Sequence, residues 1–194
     1  MDFIDNYLAI TTRVINSLDR NALSDIVEVI VKLREREGRL FVIGVGGSAA
    51  NASHAVNDFR KLALIEAYSP TDNVSELTAR INDDGWESSF SNWLAGSRLN
   101  ENDAVMVFSV GGGDAGENVS VNLIRALEYS KEKRASIVGI VGRDGGFTAR
   151  IADACLIIPT EKESLVTPLA ESLQAVVWHL LVSHPDLQVA ATKW

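Results

Sequence analysis

Three times along this 194-residue chain, an apolar run ends in a glycine-rich segment and gives way to a stretch with helical periodicity. Leu40-Phe41-Val42-Ile43 leads into Gly44-Val45-Gly46-Gly47-Ser48, and Ala104 to Phe108 leads into Ser109-Val110-Gly111-Gly112-Gly113-Asp114. Ile137 to Val141 leads into Gly142-Arg143-Asp144-Gly145-Gly146. The apolar runs do not alternate with polar residues, so the strands they predict are buried on both faces, and helices between them make the crossovers parallel. Leu62 to Ala67 and Cys155 to Ile158 add two more strands. The expectation is an α/β fold with a five-stranded parallel sheet and helices on both faces. Those helices are predicted over about Ala49 to Lys61, Ser75 to Ile81, Ser88 to Leu99, from the exit at Asp114 to near Lys133, and Thr167 to Ser183.

Two further helices precede the first strand. Phe3, Ile4, Tyr7, Leu8, Thr11, Val14, Ile15 and Leu18 fall on one stripe, and Leu23, Ile26, Val27, Ile30 and Leu33 on a second. Each stripe must be buried, either on the sheet or against another subunit. The chain divides into an N-terminal helical pair over 1–37 and an α/β sandwich over 38–194, together one domain. The tail from Val189 to Trp194 carries no signal.

A formal net charge of −8 argues against a broad nucleic-acid or anionic-membrane surface, though not against a local anion site. Acids and apolars alternate from Met1 to Leu18, unlike a signal peptide. No uncharged run approaches the ~20 residues of a membrane helix. One cysteine, Cys155, sits in an apolar run and reads as core. A cytoplasmic protein is expected.

In an open parallel sheet, ligands bind beyond the carboxyl ends of the strands. Glycines there let backbone N–H groups converge on an anion, and a following helix N-terminus adds partial positive charge. Gly44 to Ala49 also fits the dinucleotide fingerprint, with Glu66 near the place of a ribose-binding acid. That reading leaves unexplained the second glycine-rich exit and the polar side chains inside the first crossover helix. A phosphate site accounts for both.

Gly46-Gly47-Ser48 followed by Asn51, His54 and Asp58 resembles the phosphoheptose isomerases, a branch of the sugar-isomerase (SIS) domain proteins. Asn82-Asp83-x-Gly85-Trp86, Ser109, and a last helix with Glu171 and His179 resemble the same family, and the likeness runs to about His184. The resemblance implies the SIS fold and an aldose–ketose isomerase converting sedoheptulose 7-phosphate to a heptose 7-phosphate. It also implies a homotetramer with active sites at subunit interfaces, and a divalent metal, zinc in several members. Carried over residue by residue, it makes Asp58 and His179 the acid/base pair. Gly46, Gly47, Ser48, Asn51, Asp83, Ser109, Gly111 and Gly112 become substrate-binding residues, and His54, Asp58, Glu171 and His179 metal ligands. The residue types suit an enediol route, in which one group takes a carbon-bound proton and another handles oxygen protons.

The chain departs from the family twice. Asp58 stands where the family has glutamate, one methylene shorter, and Val110, Gly111, Gly113 and Asp114 replace hydroxyl residues after Ser109. Asp114 is expected to cap the following helix and face away from the ligand, leaving the anion to backbone amides. Arg60, Lys61 and Arg143 read as solvated surface, His184 as a terminus residue, and Trp86, Trp93 and Trp178 as core or interface. The alternative to an isomerase is a non-catalytic SIS module that binds a sugar phosphate or a protein partner. A lyase or epimerase acting on a phosphosugar is a third reading.

Overall fold

A computed structural model describes residues 2–191; Met1 and Thr192–Trp194, including the end of the C-terminal tail, lie outside the described residues. Two helices open the chain, α1 (Phe3–Asn16) and α2 (Arg20–Glu35), each started by an aspartate whose carboxylate accepts from first-turn amides: Asp2 from Asp5, Asp19 from Asn21 and Ala22. The sheet and its crossovers follow as β1 (Leu40–Gly44), α3 (Gly47–Leu62), β2 (Ala67–Tyr68), α4 (Val74–Asp84), α5 (Ser89–Gly96) and β3 (Ala104–Ser109). Then come α6 (Val121–Glu132), β4 (Ser136–Val141), α7 (Gly146–Ile151), β5 (Ala154–Ile157) and α8 (Val166–Ser183).

All strand pairs are parallel and the order is β2-β1-β3-β4-β5. Alternate residues of each strand enter two separate cores. Leu40, Val42, Met106, Phe108, Val138 and Ile140 pack with α1, α2, α3 and α8 on one face. Phe41, Ile43, Val105, Val107, Ile137 and Val141 pack with α5 and α6 on the other. Both faces are dry, which is why the strands read as continuous apolar runs. The chain leaves β1 toward β2 on one side and returns to β3 on the other. That reversal opens a crevice between the exits of β1 and β3.

Four local expectations change. β2 is only Ala67–Tyr68, because Leu62 belongs to the end of α3 and the chain turns through Leu64 in the left-handed region (φ 52°). The short helix α7, between β4 and β5, escaped a periodicity reading because six residues opening on glycine carry too little pattern. The chain after Asp114 does not enter a helix until Val121. Finally, the α1 stripe splits: Val14 and Leu18 reach the core, joined by Ile10 from outside the predicted stripe, while Phe3 (72% exposed), Ile4, Leu8 and Ile15 stay outside. The segment Glu163–Ser183 is long and apolar enough to cross a membrane, yet more than half of it is buried inside the protein.

The exits of β3 and β4 are stitched together by backbone. Phe147 N–H donates to the Gly113 carbonyl at 2.8 Å and Thr148 N–H to the Gly112 carbonyl at 3.0 Å. The Thr148 hydroxyl donates to that same Gly112 oxygen at 2.8 Å. Gly112 holds φ +70°, and a Cβ there would land on the carbonyl oxygen of Gly145. Gly112→Ala therefore adds both left-handed strain and overpacking, together about 2–5 kcal/mol. Urea denaturation of this variant should show a midpoint lowered accordingly; an unchanged midpoint would mean that the two exits are not locked.

Cys155 is half-buried, and burial pushes its thiol up to about 11. A disulfide reagent should leave it nearly untouched at pH 8 and react fast only after unfolding. Rapid labelling of the folded protein would contradict this placement.

Candidate active site

A cavity of about 870 Å³ fills the crevice at the β1/β3 switch. Ser48 in the first turn of α3, and Ser109 with Gly111 after β3, form one wall, and Thr167 at the start of α8 another. The two serines are set up as donors. Ser48 Oγ accepts from Gln174 Nε2 at 3.1 Å, and Ser109 Oγ accepts from the Gly112 N–H at 3.0 Å. Each hydroxyl thus spends a lone pair on the protein and keeps its own proton for a ligand oxygen. The N-terminus of α3 contributes the partial positive charge of its unpaired amides.

Ser120 also lines the cavity and was not singled out from the sequence. It is the N-cap of α6, held at φ 53°, and its side chain does not cap the helix. The residue immediately before a helical run is where a capping rule would have looked. Attention went instead to Asp114, and that expectation is corrected. Asp114 Oδ1 accepts from the amides of Gly116 and Glu117, and its backbone pairs with Val119 in both directions. It closes a turn on the cavity wall rather than starting α6.

Other predicted ligand residues stand behind the wall. The Gly112 N–H and carbonyl are both spent inside the protein. Asn51 Nδ2 donates to the Glu171 carbonyl at 2.9 Å and to Gln174 Oε1 at 2.8 Å, tying α3 to α8. Gly46 and Gly47 begin α3, and a Cβ on Gly47 would lie 2.5 Å from Glu171 Oε2. Asp83 is exposed near the end of α4, accepts from Asn82 Nδ2, and is not on the cavity wall. Gln174, fully buried between Asn51 and Ser48, was missed because its role exists only once the two helices meet.

Farther along the same helix pair lies a second cluster. His54 and Asp58, one turn apart on α3, meet His179 of α8, and both Nε2 atoms are 3.5 Å from Asp58 Oδ2. Asp58 is 2% exposed. Its Oδ2 accepts from Trp178 Nε1 at 3.0 Å, and its Oδ1 from Asn57 Nδ2 at 3.0 Å. Trp178 is thus core, as expected, and also holds the carboxylate. Trp93 is buried and Trp86 is exposed. Arg60 donates to the Ala67 carbonyl and covers the Tyr68 ring. His184 accepts from the Asp186 amide past the end of α8. Arg143 lines the cavity.

His54, Asp58 and His179 could hold a divalent cation. His179 Nδ1 lies 2.7 Å from the Ala175 carbonyl, which can only accept, so Nδ1 carries a proton and, in the neutral ring, the Nε2 lone pair faces Asp58. Such a lone pair beside a carboxylate oxygen suits a cation shared between them. Donor atoms about 3.4 Å apart are what tetrahedral coordination with bonds of about 2.1 Å requires. The two separations to Asp58 Oδ2 are 3.5 Å, and all three donor atoms lie within 4.8 Å of one another. Two imidazoles and one carboxylate also leave a position open, as catalytic sites do. Glu171 does not join them: it lies eight residues before His179, about 12 Å along the helix axis, with its carboxylate against Gly47.

Residues 2–142 match the SIS domain family. The chain is 32% identical to the lincomycin biosynthesis protein LmbN of Streptomyces lincolnensis, over 93% of this chain and 68% of that protein. It is 31% identical to a probable phosphoheptose isomerase of Thermoplasma volcanium, over 96% and 91%, and 28% identical to a phosphoheptose isomerase of Rhodospirillum rubrum, over 82% of each. Among solved structures, the phosphoheptose isomerase of Neisseria gonorrhoeae superposes with a TM-score of 0.80 at 22% identity, covering 92% of this chain and 95% of that one. Together with the parallel sheet, the two leading helices and the crevice at the switch, these likenesses show that the chain belongs to the SIS domain family, with phosphoheptose isomerases among its relatives.

Proposed function

We propose that this protein is a phosphosugar isomerase that interconverts sedoheptulose 7-phosphate and a heptose 7-phosphate through an enediol. The observation that carries this reading is the placement of an anion-binding cavity and a His/Asp cluster on one helix pair. Ser48 and His54 are six residues apart on α3, about 9 Å along its axis. In an extended seven-carbon ketose phosphate, seven bonds separate the carbonyl carbon from phosphorus, roughly 8 Å at about 1.2 Å per bond. The spacing supports a substrate with its phosphate among Ser48, Ser109, Ser120 and the Gly111 backbone and its carbonyl end at the cluster.

At that end Asp58 and His179 are the acid/base pair. One takes the proton from the carbon beside the carbonyl, the other delivers a proton to the carbonyl oxygen, and reversing the roles on the neighbouring carbon completes the isomerisation. The bonds from Trp178 and Asn57 keep the Asp58 carboxylate on one bearing. The Ala175 carbonyl does the same for the His179 ring. Such preorganisation suits a carboxylate one methylene shorter than the family's, because misplacement on the order of 1 Å costs about a hundredfold. In a metal-loaded form a divalent cation held by His54, Asp58 and His179, zinc on this reading, would polarise the substrate carbonyl. His179 would then act as a ligand through Nε2, so its acid/base role belongs to the form without metal, because Nδ1 is held by the Ala175 carbonyl. Glu171, about 12 Å away along the helix axis and against Gly47, stays outside this ligand set.

The protein is further read as a cytoplasmic homotetramer with active sites at subunit interfaces. His54 and His179 are 57% and 45% exposed, and Val176 and Leu180 beside His179 are exposed too. The outer face of α1 and the outer face of α4, a helix in which Leu77 is partly buried and no residue fully so, also lack cover. These surfaces fit contacts with further copies of the chain.

Incubation with sedoheptulose 7-phosphate in deuterated water should give an aldose phosphate carrying deuterium at the carbon beside the carbonyl, followed by NMR. Asp58→Asn should lower kcat by about 10²–10⁴-fold. No turnover, with zinc added or removed, would sink the isomerase in favour of a binding module. In a separate titration with zinc, Trp178→Phe should weaken binding about 10–100-fold by removing the N–H that orients Asp58. Equal affinity for the parent and for His54→Ala would rule out the cluster as the metal site.

A further inference from the structure

Arg143 is the first residue after Gly142 in the exit from β4, and it holds the left-handed conformation at φ 52°. A residue with a side chain pays for that conformation and glycine does not. The same exit uses glycine at positions 142, 145 and 146, so an arginine between them needs a reason. Its side chain supplies one. It runs over Gly111, where a Cβ would lie 3.4 Å from Arg143 Cδ and 3.8 Å from Nε, and it enters the wall of the cavity that Ser48 and Ser109 also line. The stem thus covers the floor left bare where the loop after Ser109 has a glycine.

The guanidinium is uncommitted. Among the described residues its single recorded partner is Glu163 Oε1, 3.8 Å from Nη1, with the two side chains 55% and 80% exposed. A pair that open and that long is worth little. Of the other acids on the wall, Asp114 is tied to the amides of Gly116 and Glu117 and Asp144 to the amide of Gly146, while the Glu117 carboxylate makes no recorded contact with Arg143. Arg150, the second cation there, lies over the Phe147 ring at 5.6 Å. A planar fork with free N–H donors, lining the same cavity as the Ser48 and Ser109 hydroxyls, has the chemistry for bidentate phosphate recognition.

We propose that Arg143 is a phosphate-binding residue that leaves Glu163 to clamp the substrate phosphate, taking the place of the hydroxyl side chains missing at Val110 and Gly111. The inference rests on reading the cavity as the phosphate end of the site. It makes Arg143 a determinant of specificity for phosphorylated over neutral sugars.

Two measurements test it, a phosphorus NMR titration with inorganic phosphate and steady-state kinetics with sedoheptulose 7-phosphate. Arg143→Gln and Arg143→Gly should each raise the phosphate Kd and the KM about tenfold or more, with kcat within about threefold. Arg143→Lys, which keeps the charge and loses the fork, should fall between. Glu163→Gln should tighten phosphate binding by freeing the guanidinium. Arg143→Gly relieves the backbone, so its thermal midpoint should equal or exceed the parent's, and lost affinity cannot be ascribed to unfolding. Unchanged phosphate affinity in the glutamine and glycine variants overturns the clamp, and so does a parent protein that binds no phosphate. Weakened phosphate binding in the Arg143 variants of a parent that binds phosphate but turns over no heptulose phosphate would sustain the clamp and sink the isomerase reading instead.

Discussion

The buried amide of Gln174 joins the two helices on which every part of the site depends. Its oxygen accepts from Asn51 and its nitrogen donates to Ser48, so one side chain of α8 fixes the first turns of α3. A buried amide left unsatisfied costs about 1–3 kcal/mol, so any sliding of α8 along α3 is resisted by loss of both bonds. Lower on the same pair, the Trp178 indole N–H holds Asp58 in the same way. The Ser48 hydroxyl and the Asp58 carboxylate are thereby held at a spacing set by helix geometry rather than by loops.

The sheet supplies the second constraint. Because the strand order reverses between β1 and β3, the loops that leave them diverge and must leave a crevice. The floor of that crevice is rigid because Gly112 and Gly113 accept from the first residues of α7. The protein is acidic overall, with four acids on the same cavity wall. It still gathers there the start of α3, two arginines, and hydroxyls whose oxygens already accept from the protein and whose protons are free to donate. Local chemistry overrides net charge over such short distances because solvent and salt screen the remainder.

Much of this was legible in the residues. Continuous apolar runs marked β1, β3 and β4, glycine-rich exits marked the ligand edge, and the four-residue spacing put His54 and Asp58 on one helix face. Where legibility failed, the cause was tertiary. Leu62 to Ile65 reads as a strand until the end of α3 and the left-handed Leu64 claim it. Gln174 and Trp178 look like ordinary core positions, and their polar atoms acquire meaning only when α8 crosses α3. Ser120 was hidden by an inserted turn, Asp114 to Val119, that separates it from the glycines it works beside. Arg143 looked like surface because neither its left-handed backbone nor the open floor at Gly111 has a signature in sequence.

The central claim is that one rigid helix pair measures a phosphate against a carbonyl. Its most direct test is kcat/KM across a series: sedoheptulose 7-phosphate, unphosphorylated sedoheptulose, and a five-carbon ketose phosphate. A substrate missing either anchor, or two carbons too short to reach both, should lose at least about a hundredfold, since misplacement of about 1 Å already costs that much. A flat profile would contradict the account, because it would mean that the cavity and the His54–Asp58–His179 cluster do not act on the same molecule.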